Sequence, residues 1–528
     1  MSPTGPSPRA RAASAHRLVR APALGSFVWP GRGWFPSLAL GAAALAPGAC
    51  SDPPRARPPL VVWIEVDTLR ADALGAYGNR ARGEDGCAPS PRIDALAAEG
   101  VLFERAYAPA PWTIPSLATQ LSGLWPWEHG CDRLLEVCDA DSAALVPRLA
   151  DRGVRAVGVM TNFVARGRFG FARGFELWDE ALAQGHEGST ADEAARSLLA
   201  LQDRLGGARE DPRLLFLWLF DPHYRYEEHE GRRFGPGWGD RAREPYAGPL
   251  TGDEPLNALL ARRAELASPD HEFLRGRYAS EVAEADRAVG IVLDGLAERG
   301  LLDDAWVVLT ADHGEELFDR GFLGHAHGLH EELVRVPLIV RPPRGVAEGR
   351  RGARVAHPVS LVDLPATVHE LAAGVAPGTG GAPPLGHSRS LLGTVVGGDV
   401  PERRWLYLHT DFEPVVADAA AADKRARQWG VVDARDGTKW VVDHLADGGG
   451  VPRAHLYDLA RDPLESSDLA ATAEGAERSR ALRRLRALVP EALAPGEAPA
   501  PARLPEEPWI EPPADRAGLG PAFEGGAR

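Results

Sequence analysis

The chain has 528 residues, 44% of them apolar, enough for one large buried core with a smaller appended unit. A net charge of −15, with no basic stretch beyond the N-terminal segment, excludes a nucleic-acid-binding footprint. Lysine occurs only at Lys424 and Lys439, so arginine carries almost all the positive charge.

The chain opens on Arg9, Arg11, Arg17 and Arg20, followed by an apolar, small-residue run from Phe35 to Ala49 that ends at Cys50. This is the pattern of an export segment. Cys50, followed by SDPPRARPP, resembles a bacterial lipoprotein processing site, which implies membrane attachment through a lipid on Cys50; an ordinary secretory cut and a short membrane anchor are the alternatives. All three export the chain to the periplasm or cell envelope. The expected division is an export segment at 1–50, a Pro-rich linker at 51–59, a catalytic domain at 60–399, an antiparallel subdomain at 400–489 and a poorly ordered tail at 490–528. Cys87, Cys131 and Cys138 are an odd set, of which Cys131 and Cys138 can close a short loop in an oxidising compartment.

Four short apolar runs stop abruptly at a polar residue: LVVWIEV (60–66) before Asp67, VRAVGVMT (154–161) before Asn162, LLFLWLF (214–220) before Asp221, and AWVVLTA (305–311) before Asp312. Continuously apolar runs suit strands buried on both faces of a parallel sheet. Between them, 91–100 and 271–300 carry helical periodicity and end on Gly100 and Gly300. The alternation predicts a doubly wound, mostly parallel α/β sheet, with Asp67, Asn162, Asp221 and Asp312 gathered at its carboxyl edge. From about residue 400 glycine-rich turns separate short β-prone runs, the texture of an antiparallel meander.

Asp67, Asp312 and His313 offer two carboxylates and one imidazole, a set for one divalent cation among Mg, Mn, Ca and Zn. Taken singly, each aspartate is as well explained as a helix cap. WTIPSLATQLSG (112–123) begins a helix at or just after Thr113, which reads either as an N-cap or as a hydroxyl held where free N–H groups favour anions.

In order and spacing, VVWIEVDTLRADALGAYG, TIPSLATQLSG with WPWEHG behind it, LTADHGEE and HGLHEELVRVPLIV resemble the sulfatase branch of the alkaline phosphatase superfamily, and LYDLARDPLESSDLA (456–470) resembles that family's ending. The resemblance implies an alkaline-phosphatase-like fold and makes Asp67, Asp312 and His313 metal ligands, with Thr113 a nucleophile that touches the metal. It gives His223 and His327 contacts to the transferred group or leaving oxygen, and leaves His325 and His330 as satisfied histidines. Arg70, Asn162 and Asp221 are the expected substrate contacts. The departures matter equally. The family's CxPSR signature needs a cysteine or serine that becomes formylglycine, and Thr113 cannot form that aldehyde, so no formylglycine is expected. Thr68 replaces a second aspartate, and the family's active-site lysines have no counterpart. Asp221 and His223, two apart, do not match the spacing of a second metal site. The implied activity is hydrolysis of sulfate or phosphate esters of a small molecule, glycan or lipid. A phosphodiesterase, phosphonate monoester hydrolase or phospho-group transferase is the alternative within the superfamily, and an inactive anion- or glycan-binding surface lipoprotein the alternative outside it.

Overall fold

The structure is a computed structural model that describes residues 59–83, 86–139, 144–184, 190–207, 211–229, 234, 246–252, 254–375, 384–413, 426–444 and 453–472. The expectations for the export segment, Cys50 and the 490–528 tail fall outside these residues.

Among the described residues the main sheet has nine strands: β1 (Leu60–Val66), β2 (Val101–Tyr107), β3 (Arg155–Val159), β4 (Leu177–Asp179), β5 (Arg213–Leu219), β6 (Ala305–Thr310), β9 (Arg335–Arg341), β10 (Ala353–Val355) and β11 (Val359–Ser360). β7 (Glu316–Leu317) and β8 (Leu323–Gly324) form a separate hairpin. The order β10-β2-β9-β6-β1-β5-β3-β4, with β11 also on β2, is parallel except where β9 runs antiparallel to both neighbours. Every residue of β1 and β5 is buried, which is why these strands read as apolar runs apart from Glu65 and Arg213. The four expected strands are all present, each within about two residues of its apolar run. β9 is a central strand that contains Pro337, a residue that masks such a strand in the sequence. Its register with β2 slips between Phe103 and Ala106, opposite Pro337, so the missing N–H falls at a bulge where the ladder is already broken.

The helices are α1 (Pro91–Glu99), α2 (Thr113–Ser122), α3 (Pro126–His129), α4 (Leu145–Ala150), α5 (Ala191–Leu205), α6 (Leu256–Ala261), α7 (Ser268–Glu298), α8 (Glu331–Val334) and α9 (Leu364–Ala373). α1 and α5 pack on α7, while α2 and α4 pack on α9, giving the two helix groups of a doubly wound sheet. Among the described residues, no helix is long and apolar enough to cross a membrane.

A second, antiparallel sheet follows in the order β12 (Trp405–Phe412), β13 (Ala426–Asp433), β14 (Thr438–Asp443) and β15 (Arg453–Asp458). It docks on the loop that leads into α2, with His409 N donating to Pro109 O at 2.8 Å, and on the segment between β8 and α8, with Thr410 Oγ1 donating to Ala326 O at 3.1 Å. Cys131 and Cys138 are paired, their Cα atoms 5.4 Å apart, and Cys87 is exposed.

Candidate functional site

β1 and β6 are parallel neighbours with Glu65 opposite Thr310, so the residues after them emerge side by side at the carboxyl edge of the sheet. Asp67, Asp312 and His313 meet there, fully buried, with ligand atoms all within 4.8 Å of one another.

Each carboxylate is anchored through one oxygen only. Asp67 Oδ2 accepts from Asn162 Nδ2 at 2.6 Å and Trp218 Nε1 at 3.2 Å, and Asp312 Oδ1 accepts from the N–H of Thr68 at 3.2 Å and of His313 at 2.9 Å. Asp67 Oδ1 and Asp312 Oδ2 are buried and accept no hydrogen bond among the described residues. Two such oxygens side by side are costly unless a positive charge sits between them. Burial and the charge of Asp312 push the Asp67 carboxyl well above the usual carboxylate range. His313 Nδ1 lies 2.8 Å from Gly314 O, which sets Nδ1 as the donor and turns Nε2 inward. Nε2 stands 3.1 Å from Asp312 Oδ2, outside hydrogen-bond geometry, and 3.9 Å from Asp67 Oδ1. Burial opposes protonation of His313, but the Asp312 and Asp67 charges outweigh it and lift the pKa to about 9, so a cation entering the site displaces a proton. The residues fit a divalent ion.

Thr68, in the place of a second aspartate, adopts φ 55, an uncommon conformation for a β-branched residue. Its backbone is held at both ends, the N–H on Asp312 and the C=O accepting from the Tyr278 hydroxyl at 2.8 Å.

Thr113 is the first residue of α2, buried, with Oγ1 3.4 Å from His313 Nε2. The helix-cap alternative fails: Trp112 occupies the cap and makes no side-chain cap bond. Ser116 Oγ donates to Asp312 O at 2.6 Å, pinning α2 to the end of β6.

Of the histidines on this loop, it is His325 and not His327 whose ring lies beside His313. His325 packs its ring 4.5 Å from His313 and 5.0 Å from His223, with Nδ1 2.9 Å from Glu315 Oε1. His327 places Nε2 2.7 Å from Glu316 Oε2 and its ring against Phe322. Ala326, with φ 76, turns the chain between the two and separates their directions, a feature invisible in the run HAH. His223 stacks on Phe220, Nδ1 2.8 Å from Tyr224 O.

Three expected substrate contacts are engaged elsewhere. Asn162 holds Asp67, as above. Arg70 is buried with its guanidinium on Asp72, Asp319 and the Glu315 carbonyl, at 2.6–3.0 Å for the shortest contact with each. Asp221 lies beside Glu281 of α7 and favours its charged form.

Glu281 is buried among Asp221, Glu227, Glu284 and His229, and burial pushes its pKa up to about 8. A carboxyl raised in the folded state contributes stability that is full below its unfolded pKa and is lost as pH rises through the folded value. Tm is therefore expected to fall between about pH 5 and pH 8 through this group. Glu281→Gln should flatten that part of the Tm-against-pH curve; an unchanged slope would show that the group does not titrate in this range.

The sulfatase family's sequence model matches residues 59–375. Arylsulfatase K of Xenopus laevis is 26% identical over 326 residues, covering 55% of this chain and 59% of that protein. Choline-sulfatase of Rhizobium meliloti (strain 1021) is 31% identical over 205 residues, covering 38% and 34%. The chain thus spans less than two thirds of the length of either relative. Among solved structures, BT4656 in complex with its substrate D-glucosamine-2-N,6-O-disulfate superposes with a TM-score of 0.62 at 19% identity, covering 82% of this chain and 97% of that one. Phosphonate monoester hydrolase of Agrobacterium radiobacter gives 0.57 at 22% identity, covering 82% and 96%. These likenesses establish a shared fold, and with a family match across more than half its length the chain belongs to the sulfatase family.

Proposed function

We propose that the chain hydrolyses a sulfate or phosphate ester by attack of Thr113, with no formylglycine. The observation behind this reading is the convergence of Asp67 Oδ1, Asp312 Oδ2 and Thr113 Oγ1 on His313 Nε2, at 3.9, 3.1 and 3.4 Å. Asp67, Asp312 and His313 would hold a divalent cation, which would lower the pKa of a neighbouring hydroxyl and draw charge from the transferred group. Thr113 gives up its proton to solvent and attacks in line. A bond forms between Oγ1 and phosphorus or sulfur as the ester oxygen leaves, taking a proton from His325. Glu315 holds the His325 ring for this transfer, and His223 stands beside it. We assign the proton to His325 in preference to His327 because of its contact with His313. The Thr113 adduct has no second hydroxyl through which to eliminate, so water must attack phosphorus or sulfur to release it. That requirement favours a phosphate-type ester, since displacement at phosphorus is the step that threonine nucleophiles on metals serve.

Turnover of 4-nitrophenyl sulfate, 4-nitrophenyl phosphate, bis(4-nitrophenyl) phosphate and a phenylphosphonate monoester, each with Mg, Mn, Ca and Zn, tests the reading. We expect release of 4-nitrophenol or phenol from a phosphate or phosphonate ester with one metal. Metal-loaded protein inert to the whole panel would sink it. Export belongs to the same proposal: the Cys131–Cys138 pair fits an oxidising compartment. Mass spectrometry of the N-terminal peptide decides whether the mature chain begins at a lipidated Cys50.

A further inference from the structure

The loop between β6 and α8 carries Glu315, Glu316, His325 and His327, and it is held at two points by one residue far along the chain. Glu465 Oε2 lies 3.0 Å from His330 Nδ1, accepts from Glu331 N at 3.0 Å and meets Arg320 NH2 at 3.3 Å. Its other oxygen ion-pairs with Lys439 Nζ at 2.7 Å, and Lys439 also contacts Glu331 Oε1 at 3.0 Å. Both Glu465 and Lys439 are fully buried. Glu465 sits at φ 51, a conformation that costs a non-glycine residue energy and persists only where the surroundings enforce it. Arg320 extends the grip, donating to Leu464 O at 2.7 Å and Glu465 O at 3.1 Å and pairing with Glu332 at 2.6 Å.

Inside these two anchors the loop is tied to itself and, at Ala326, to Pro111 O at 3.0 Å and Thr410 Oγ1 at 3.1 Å. Glu316 Oε1 accepts from the N–H of Arg320 at 2.9 Å and Phe322 at 2.8 Å, and its other oxygen meets His327. Glu315, next in the chain, holds His325. At the start of the loop Gly314 N donates to Leu333 O at 2.8 Å, and a Cβ on Gly314 would collide with the Glu332 carbonyl. His325 therefore lies between two residues, Arg320 and His330, that converge on the Glu465 carboxylate. Burial pushes this carboxyl up, but Lys439 and His330 hold it down to about 2, so it is charged whenever the protein is folded at ordinary pH.

We propose that Glu465 is a positioning residue for catalysis: by gripping Arg320 and His330 at once it fixes the loop that presents His325, so the segment after β15 sets the rate of proton transfer to the leaving group. The proposal rests on the role given to His325 above. A misplacement of about 1 Å at a reacting group can cost roughly 10²-fold in rate, so a loosened loop is expected to lower kcat with KM little changed.

The test measures kcat and KM on the 4-nitrophenyl ester turned over fastest in the panel, metal content, and hydrogen exchange of amides 314–330. For Glu465→Ala we expect kcat lower by roughly 10–10²-fold, one metal per chain, and faster exchange confined to the loop; Glu465→Gln, which keeps an acceptor for Glu331 N, should fall between. If Glu465→Ala does not fold, Arg320→Met and His330→Gln each cut one anchor and leave the Lys439 pair intact. Unchanged kcat with a loosened loop, or reduced kcat with unchanged exchange, overturns the proposal. His325→Gln is the separate control: wild-type rates there refute the acid assignment, while the exchange measurement still judges the grip of Glu465.

Discussion

Thr113→Ala is expected to lower kcat by roughly 10⁴-fold or more while leaving a folded protein that still binds its metal. Structurally the side chain does little: Thr113 lies inside α2 and not at its cap position, the described contact of Oγ1 is 3.4 Å from His313, and alanine is the better helix former. Loss of a cap, about 0.5–2 kcal/mol elsewhere, is therefore not at stake. Chemically, the proposed reaction forms its covalent adduct on this hydroxyl. Thr113→Ser should retain partial activity, and rapid quench with peptide mass spectrometry should find phosphate or sulfate on Thr113 in the wild type. Wild-type turnover by the alanine variant would leave Thr113 as a buried helical residue and nothing more.

Asp312→Asn is expected to be comparably severe, by a different route. The amide oxygen can still accept from the N–H groups of Thr68 and His313, so the turn between β6 and the loop survives. The atom facing Asp67 Oδ1 and His313 Nε2 changes from an anionic oxygen to an N–H donor, which a cation repels. We expect metal per chain to fall from one to near zero by elemental analysis, and turnover to drop by roughly 10⁴-fold. Full metal content in this variant would refute the ligand assignment.

The carboxyl edge of the sheet was legible because each strand that supplies it is a local, continuously apolar run, and a parallel arrangement brings the ends of such runs together. Asp67 and Asp312 followed from that alone, without regard to what lies between them. The roles of Asn162, Arg70 and Asp221 did not follow, since each is decided by a partner distant in sequence: Asp67, Asp319 and Glu281. The place of His325 beside His313 was not legible, because two histidines one residue apart cannot be ranked from sequence when the residue between them turns left-handed. The signal that could have found it is the pair Glu315 and Glu316 upstream, which supplies one carboxylate for each histidine. β9 was obscured by Pro337, whose place at a bulge depends on the register of β2.

The half-anchored carboxylates of Asp67 and Asp312 bear on when order is established. Rotamers that would otherwise have to be frozen on ion capture are already fixed by Asn162, Trp218 and two backbone N–H groups, so their conformational entropy is lost as the chain folds. Chelation should then silence the protein reversibly with little change in its circular dichroism, and the rate of reloading should follow dehydration of the incoming ion, differing among Mg, Mn, Ca and Zn more than any refolding of the chain would allow.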